Sequence, residues 1–135
     1  DLMMEEFEPR NDVEKQLLAA QAGEISGEAF MAELLQTQLF MPVRDEYGIS
    51  NFQASDRAVP LTVEDEEGTN VLVLFTSPER AKAFVRDYPG YEGGLLAEFT
   101  WILERVGSGY GIVLNPGWPV GLDMAPAMVD QLAGR

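Results

Sequence analysis

The chain has 135 residues, 46% hydrophobic and 24% charged, and a formal net charge of −14. That length and apolar content suffice for one domain with its own core and exclude the low-hydrophobicity composition of a disordered chain. It contains no cysteine and no histidine, which excludes thiolate nucleophiles, disulfides, thiolate or imidazole zinc sites and imidazole acid–base relays within it.

The charge is uneven. Residues 1–67 hold 16 acidic and 4 basic side chains, a net of −12, and residues 68–135 hold 7 and 5, a net of −2. Such a field repels phosphate backbones and anionic lipid and speeds encounter with a basic protein. Neither nucleic acid nor membrane is expected as a partner. The longest aliphatic and aromatic runs, Leu39 to Met41 and Val71 to Phe75, fall far short of the ~20 residues that span a bilayer. The first residues are acidic where a secretory leader is basic, so a cytoplasmic location is expected.

Asn11 with Glu14 three residues later reads as a capping box opening a first helix with apolar positions Val13, Leu17 and Leu18, ended by Gly23. Ser26 caps a second helix bearing Phe30, Leu34 and Leu35, and the short connection predicts an antiparallel pair. Leu39 to Val43 reads as a strand, and Pro42 assigns it to an edge or a bulge. Arg44 to Arg57 is polar and aperiodic, an expected exposed loop. Val59, Leu61 and Val63 alternate with polar or proline positions as in a half-buried strand, and the turn Glu64 to Thr69 returns the chain into Val71 to Phe75.

That second run has no polar alternation, which predicts a strand buried on both faces. Ser77 or Thr76 caps the next helix, with Pro78 first and Glu79 favourable to the positive helix end. Its stripe is Ala81, Phe84, Val85 and Tyr88. After the Gly-rich break at 89–94, the spacing of Leu95, Phe99, Ile102, Leu103 and Val106 predicts another helix, with Trp101 off its buried face. Gly111 to Leu114 is a strand, Asn115-Pro116-Gly117 a turn, Val120 to Asp123 a short return strand, and a last helix carries Met128, Val129 and Leu132. The order predicts an α+β fold, a single compact domain over 1–135 with an N-terminal helical pair, a mixed sheet of about four to five strands covered by helices, and a flexible segment over 1–10.

Few segments bear chemistry. Aligning Gly68 with the glycine of a calcium loop puts Val63 and Leu74 at two oxygen-donor positions, so the acidic turn is no EF-hand. Gly107 to Gly111 follows a helix and opens a strand, the reverse of a dinucleotide-binding turn. Ser77 is explained as a cap rather than as half of a Ser–Lys pair with Lys82. Among so many carboxylates, pairs such as Glu98 and Asp123 carry no specific signal for hydrolysis. No metal, cofactor or catalytic residue is expected.

The segment most suggestive of contact is Asn115 to Gly121, with Trp118 held between two prolines. A rigid aromatic on a surface loop suits an interface, and the same residue would equally serve as a lid over the core. Tyr88, Tyr91 and Tyr110 lie in or beside Gly-rich turns and would join Trp101 in one aromatic patch if the strand ends converge. The candidate contact residues are therefore Asn115, Pro116, Gly117, Trp118, Tyr88, Tyr91 and Tyr110.

Phe75-Thr76-Ser77-Pro78-Glu79 and Leu114-Asn115-Pro116-Gly117, in this order and separation, resemble the SseB N-terminal domain family. The similarity runs from about Leu39 to the C-terminus and more weakly over the leading helices. The resemblance implies a small, cytoplasmic bacterial α+β domain, in a family named for a serine-sensitivity phenotype and without a defined reaction. The expected function is a non-enzymatic protein-interaction module with a basic protein partner. The alternative is a small-molecule-binding domain, with a carboxylate-dependent hydrolase a distant third. Neither a monomer nor a dimer is singled out.

Overall fold

The computed structural model describes residues 7–45 and 58–135. Residues 1–6 and most of the loop expected over Arg44 to Arg57 lie outside them. The described elements are α1 (Asp12–Gln21), α2 (Gly27–Leu34), β1 (Gln38–Asp45), β2 (Ala58–Pro60), β3 (Thr62–Glu64), β4 (Asn70–Leu74), α3 (Pro78–Val85), β5 (Gly93–Glu98), α4 (Phe99–Arg105), β6 (Gly111–Leu114), β7 (Leu122–Met124) and α5 (Pro126–Leu132). The fold is α+β, as expected.

The strands form a three-stranded sheet in the order β2-β1-β5 and a four-stranded sheet in the order β3-β4-β6-β7. The pairing of β4 with β6 is parallel, and the other pairings are antiparallel. The sheets are stitched where Phe40 and Phe75 exchange backbone hydrogen bonds of 2.8 and 2.9 Å. Leu61 is a second stitch: its N–H donates to Pro42 O at 3.0 Å and its carbonyl accepts from Val73 N–H at 3.1 Å. The expected strand Val59 to Val63 therefore divides at Leu61, β2 joining one sheet and β3 the other.

The unbroken apolar run of β4 follows from burial on both faces. Leu72 and Leu74 join Ile112 and Leu114 in a larger core under α1, α2, α4 and α5. Val73 and Phe75 face the opposite way, into a smaller core with Phe40, Leu61 and Ala81 and Val85 of α3.

Two expectations are corrected. Residues 93–98 are strand, not the start of a helix: Leu95 and Ala97 pack on the larger core with a period of two before the helical spacing of Phe99, Ile102 and Leu103 begins. Leu95 and Phe99 mimic an i, i+4 pair across that boundary. At Gly94 a Cβ would lie 2.4 Å from the Phe40 ring, so only glycine admits this approach of β5 to β1. Strand β1, for its part, is central rather than an edge. Pro42 is tolerated because its missing N–H faces away from β5, towards the junction where its carbonyl meets Leu61.

The capped helix starts fall where the sequence puts them. Asn11 Oδ1 accepts from Glu14 N–H at 2.9 Å, Ser26 Oγ from Ala29 N–H at 3.0 Å and Ser77 Oγ from Arg80 N–H at 3.4 Å. Phe7 to Arg10, included in the segment expected to be flexible, are held against the body of the fold: Phe7 is 4% exposed and belongs to the larger core.

Candidate functional site

The carboxyl ends of the parallel strands β4 and β6 meet in a buried polar network. Asn115, immediately after β6, has φ 59, and it is the one non-glycine residue with positive φ among the described residues. Asparagine tolerates this left-handed conformation. Asn115 N–H donates to Leu74 O at 2.9 Å, and its Oδ1 accepts from Thr76 N–H at 3.0 Å. Its Nδ2 donates to Thr76 Oγ1 at 3.0 Å and to Val120 O at 3.3 Å. The Thr76 hydroxyl has a single proton, and its 2.6 Å separation from Glu14 Oε2 assigns that proton to the carboxylate.

Glu14, on α1, and Arg80, on α3, complete the network. Arg80 Nε donates to Glu14 Oε2 at 3.0 Å and Nη2 to Oε1 at 2.9 Å, a two-point contact between side chains 2% and 0% exposed. Arg80 Nη2 also donates to Glu8 O at 2.7 Å. Burial pushes the Glu14 carboxyl up, but hydrogen bonds from Arg80, Thr76 and Arg10 N–H, with the charge of Arg80, bring it below the ordinary glutamate value. Glu14 is therefore held ionised. Among the described residues, no buried side-chain nitrogen or oxygen lacks a hydrogen-bond partner, so the network spends its polar groups on joining α1, α3 and the two strand ends.

Trp118 closes this network from outside. Its Nε1 donates to Arg80 O at 2.8 Å, and the Arg80 guanidinium carbon lies 4.4 Å from its ring centroid and 4.1 Å from that of Phe7. The Phe7 and Trp118 rings meet edge to face at 6.1 Å. The guanidinium thus sits in the corner between two nearly perpendicular aromatic rings, where its weak hydration and delocalised charge favour it over an ammonium. The Trp118 side chain takes the lid geometry and remains half-buried. Pro116 is half-buried, and Gly117, with φ 87, lies exposed at the turn.

The tyrosines do not gather into one patch. Tyr88 stacks on Phe84 at 5.2 Å, and Tyr91 lies under the Arg44 guanidinium at 5.3 Å; both pack on the smaller core. Tyr110 packs on the larger core and joins Trp101 at a different place, an apolar groove of about 990 Å³. Met41, Val43, Leu72, Leu95 and Ala97 line this groove together with Trp101, Ile102 and Val106 of the α4 segment. Leu96, 56% exposed, and Trp101, 37% exposed, are the large hydrophobics that stand exposed among the described residues, and both border it. Polar groups at the groove are few: Gln38, Thr62, Glu98 and Arg105, whose guanidinium carbon lies 3.8 Å over the Trp101 ring and which donates to Trp101 O at 3.0 Å.

Reasoning on the sequence missed the Glu14–Arg80 pair and the groove. The pair had a signal, since Glu14 lies three and four residues before Leu17 and Leu18, and Arg80 four before Phe84. One charge of each sign on two buried stripes points to a buried ion pair. The groove had none, because its walls come from strands and a helix far apart in the chain.

The two segments on which the family resemblance rested, Phe75 to Glu79 and Leu114 to Gly117, face each other through Thr76 and Asn115. No curated protein and no solved structure matches the chain. The family model described as the SseB protein N-terminal domain matches residues 13–131, so the similarity begins within α1 and takes in both leading helices. With nearly the whole length matched, the chain belongs to the SseB N-terminal domain family.

Proposed function

We propose that this domain is a non-enzymatic protein-interaction module whose groove beside Trp101 receives an extended apolar segment, flanked by Lys or Arg, of another protein. The observation that carries the reading is Trp101, a large apolar residue that stands exposed beside an apolar groove. Contiguous exposed apolar surface marks contact sites on soluble domains, and tryptophan is enriched among residues that dominate binding. The net charge of −14 supplies the complementary preference for a basic partner. Trp118, engaged with Arg80, serves the fold in this reading.

The test is selection from a displayed library of random peptides, with Trp101→Ala as the counter-screen. Enrichment of sequences combining aliphatic or aromatic residues with Lys or Arg, binding at least ~10-fold tighter to the wild type than to Trp101→Ala, is expected. Equal binding to both proteins, or enrichment of acidic sequences, would contradict it.

A second reading has one observation in its favour: a groove of about 990 Å³ lies at the upper end of the ~300–1,000 Å³ typical of small-ligand sites. Saturable thermal stabilisation by a metabolite, lost in Trp101→Ala, would support it.

A further inference from the structure

Strand β5 is an edge of the three-stranded sheet, and the direction of its backbone groups can be read from its partner. Phe40 spends its N–H and C=O on Phe75, and Pro42 O accepts from Leu61, so the even-numbered residues of β1 turn their backbone away from β5. Their register partners are Gly94, opposite Pro42, Leu96, opposite Phe40, and Glu98, opposite Gln38. Opposed residues of an antiparallel pair either bond to each other or both turn outward. Gly94, Leu96 and Glu98 therefore present their backbone groups to the outer edge, and all three are exposed.

Among the described residues, this edge lacks the usual protection. Proteins blunt exposed edges with lysine, proline or bulges, whereas β5 reads Gly93-Gly-Leu-Leu-Ala-Glu98, with one charge at its end. Its central outward residue, Leu96, is 56% exposed. Such an edge is a template for another strand.

The sequence of β5 also indicates which strand. We infer that β5 pairs antiparallel with β5 of a second copy of this chain, about a two-fold axis through Leu96. In that register Leu96 faces Leu96 of the copy, Gly94 faces Glu98, and Leu95 faces Ala97. No like charges oppose one another. Sliding by one allowed step, to pair Gly94 with Leu96, brings Glu92 opposite Glu98 and adds a like-charge pair, which is destabilising. A two-fold axis perpendicular to the sheet keeps corresponding faces together. Leu95 and Ala97, which line the groove, would then meet their counterparts on the same face, joining the two groove floors across the axis. This inference concerns the edge and stands apart from the identity of the groove's ligand.

Each copy carries a net charge of −14, so pairing opposes long-range repulsion, and salt should strengthen it. Raising the salt from about 0.1 M to about 1 M shortens the screening length from ~10 Å to ~3 Å. Sedimentation equilibrium of the whole chain is the experiment. The expected result is a monomer–dimer equilibrium whose dissociation constant falls at least ~10-fold over that range. Leu96→Pro removes an outward N–H and leaves the β1–β5 ladder intact, so it should be monomeric at both salts with an unchanged circular dichroism spectrum. Leu96→Asp, which sets two carboxylates face to face without altering the backbone, should do the same. A wild-type chain that stays monomeric at high salt, as it would if only a foreign strand paired here, overturns the inference. So does a dimer that survives Leu96→Asp.

Discussion

Arg80 Nε and Nη2 meet the two carboxylate oxygens of Glu14 at 3.0 and 2.9 Å across 66 residues of sequence, between two buried side chains. The pair joins the helix that opens the fold to the one that follows β4. Charges removed from water lose their hydration, and they persist here because Thr76 and Arg10 N–H add hydrogen bonds to the carboxylate and Glu8 O accepts a further one from the guanidinium.

Removing one partner should therefore cost more than removing both. Glu14→Met or Arg80→Met alone is expected to destabilise by about 3 kcal/mol, because each leaves a buried charge uncompensated. The combined Glu14→Met, Arg80→Met variant should lose less than either single variant. Urea denaturation of the four proteins at neutral pH measures the coupling, and additive losses would show that the two residues act independently.

The pH dependence follows from the direction of the Glu14 shift. Its carboxyl titrates lower in the folded chain than in the unfolded one, so the unfolded chain takes up the proton first as pH falls. The stabilisation is complete above about pH 4.3, the ordinary glutamate value, and is lost as pH drops through the lower folded-state value. The informative quantity is the difference in unfolding free energy between wild type and Glu14→Gln, in which contributions common to both proteins cancel. It should be constant from neutral pH to about pH 5 and shrink below about pH 4. A difference that persists unchanged into acid would contradict the assignment.

Trp118 is expected to act on stability. Trp118→Ala removes the ring over Arg80 and the hydrogen bond to Arg80 O, at an expected cost of about 3 kcal/mol. Trp118→Phe keeps a ring and loses the hydrogen bond, for about 1 kcal/mol. Trp101→Ala, at a more exposed position that gives up the contact with the Arg105 guanidinium, should cost about 1 kcal/mol. Urea unfolding ranks the three, and a Trp118→Ala protein as stable as wild type would return Trp118 to the role of a free contact residue.

Much of this fold was legible in the chain because local chemistry agreed with the final packing. Asn11, Ser26 and Ser77 cap the helices they precede, and the unbroken run Val71 to Phe75 lies between two cores as its lack of alternation requires. Local rules failed where distant segments decide. Gly94 makes β5 a strand by admitting Phe40, a residue of another strand. The direction of the Pro42 backbone depends on Leu61, across a sheet junction that no periodicity announces. The site was less legible than the fold for the same reason. Trp118 was visible as a rigid aromatic between prolines, but its direction is set by Arg80 and Phe7, and Tyr110 and Trp101 line one groove because the turn after α4 carries Tyr110 back to it.

The most direct measurement of binding in the groove is amide and indole chemical-shift mapping on the isotopically labelled chain, titrated with the tightest basic, apolar peptide selected on it. The groove account predicts the largest shifts at Val43, Leu95, Ala97, Tyr110 and the Trp101 indole, with the Trp118 indole unmoved. Shifts concentrated at Asn115 to Gly121 and the Trp118 indole, with the groove residues silent, would contradict it.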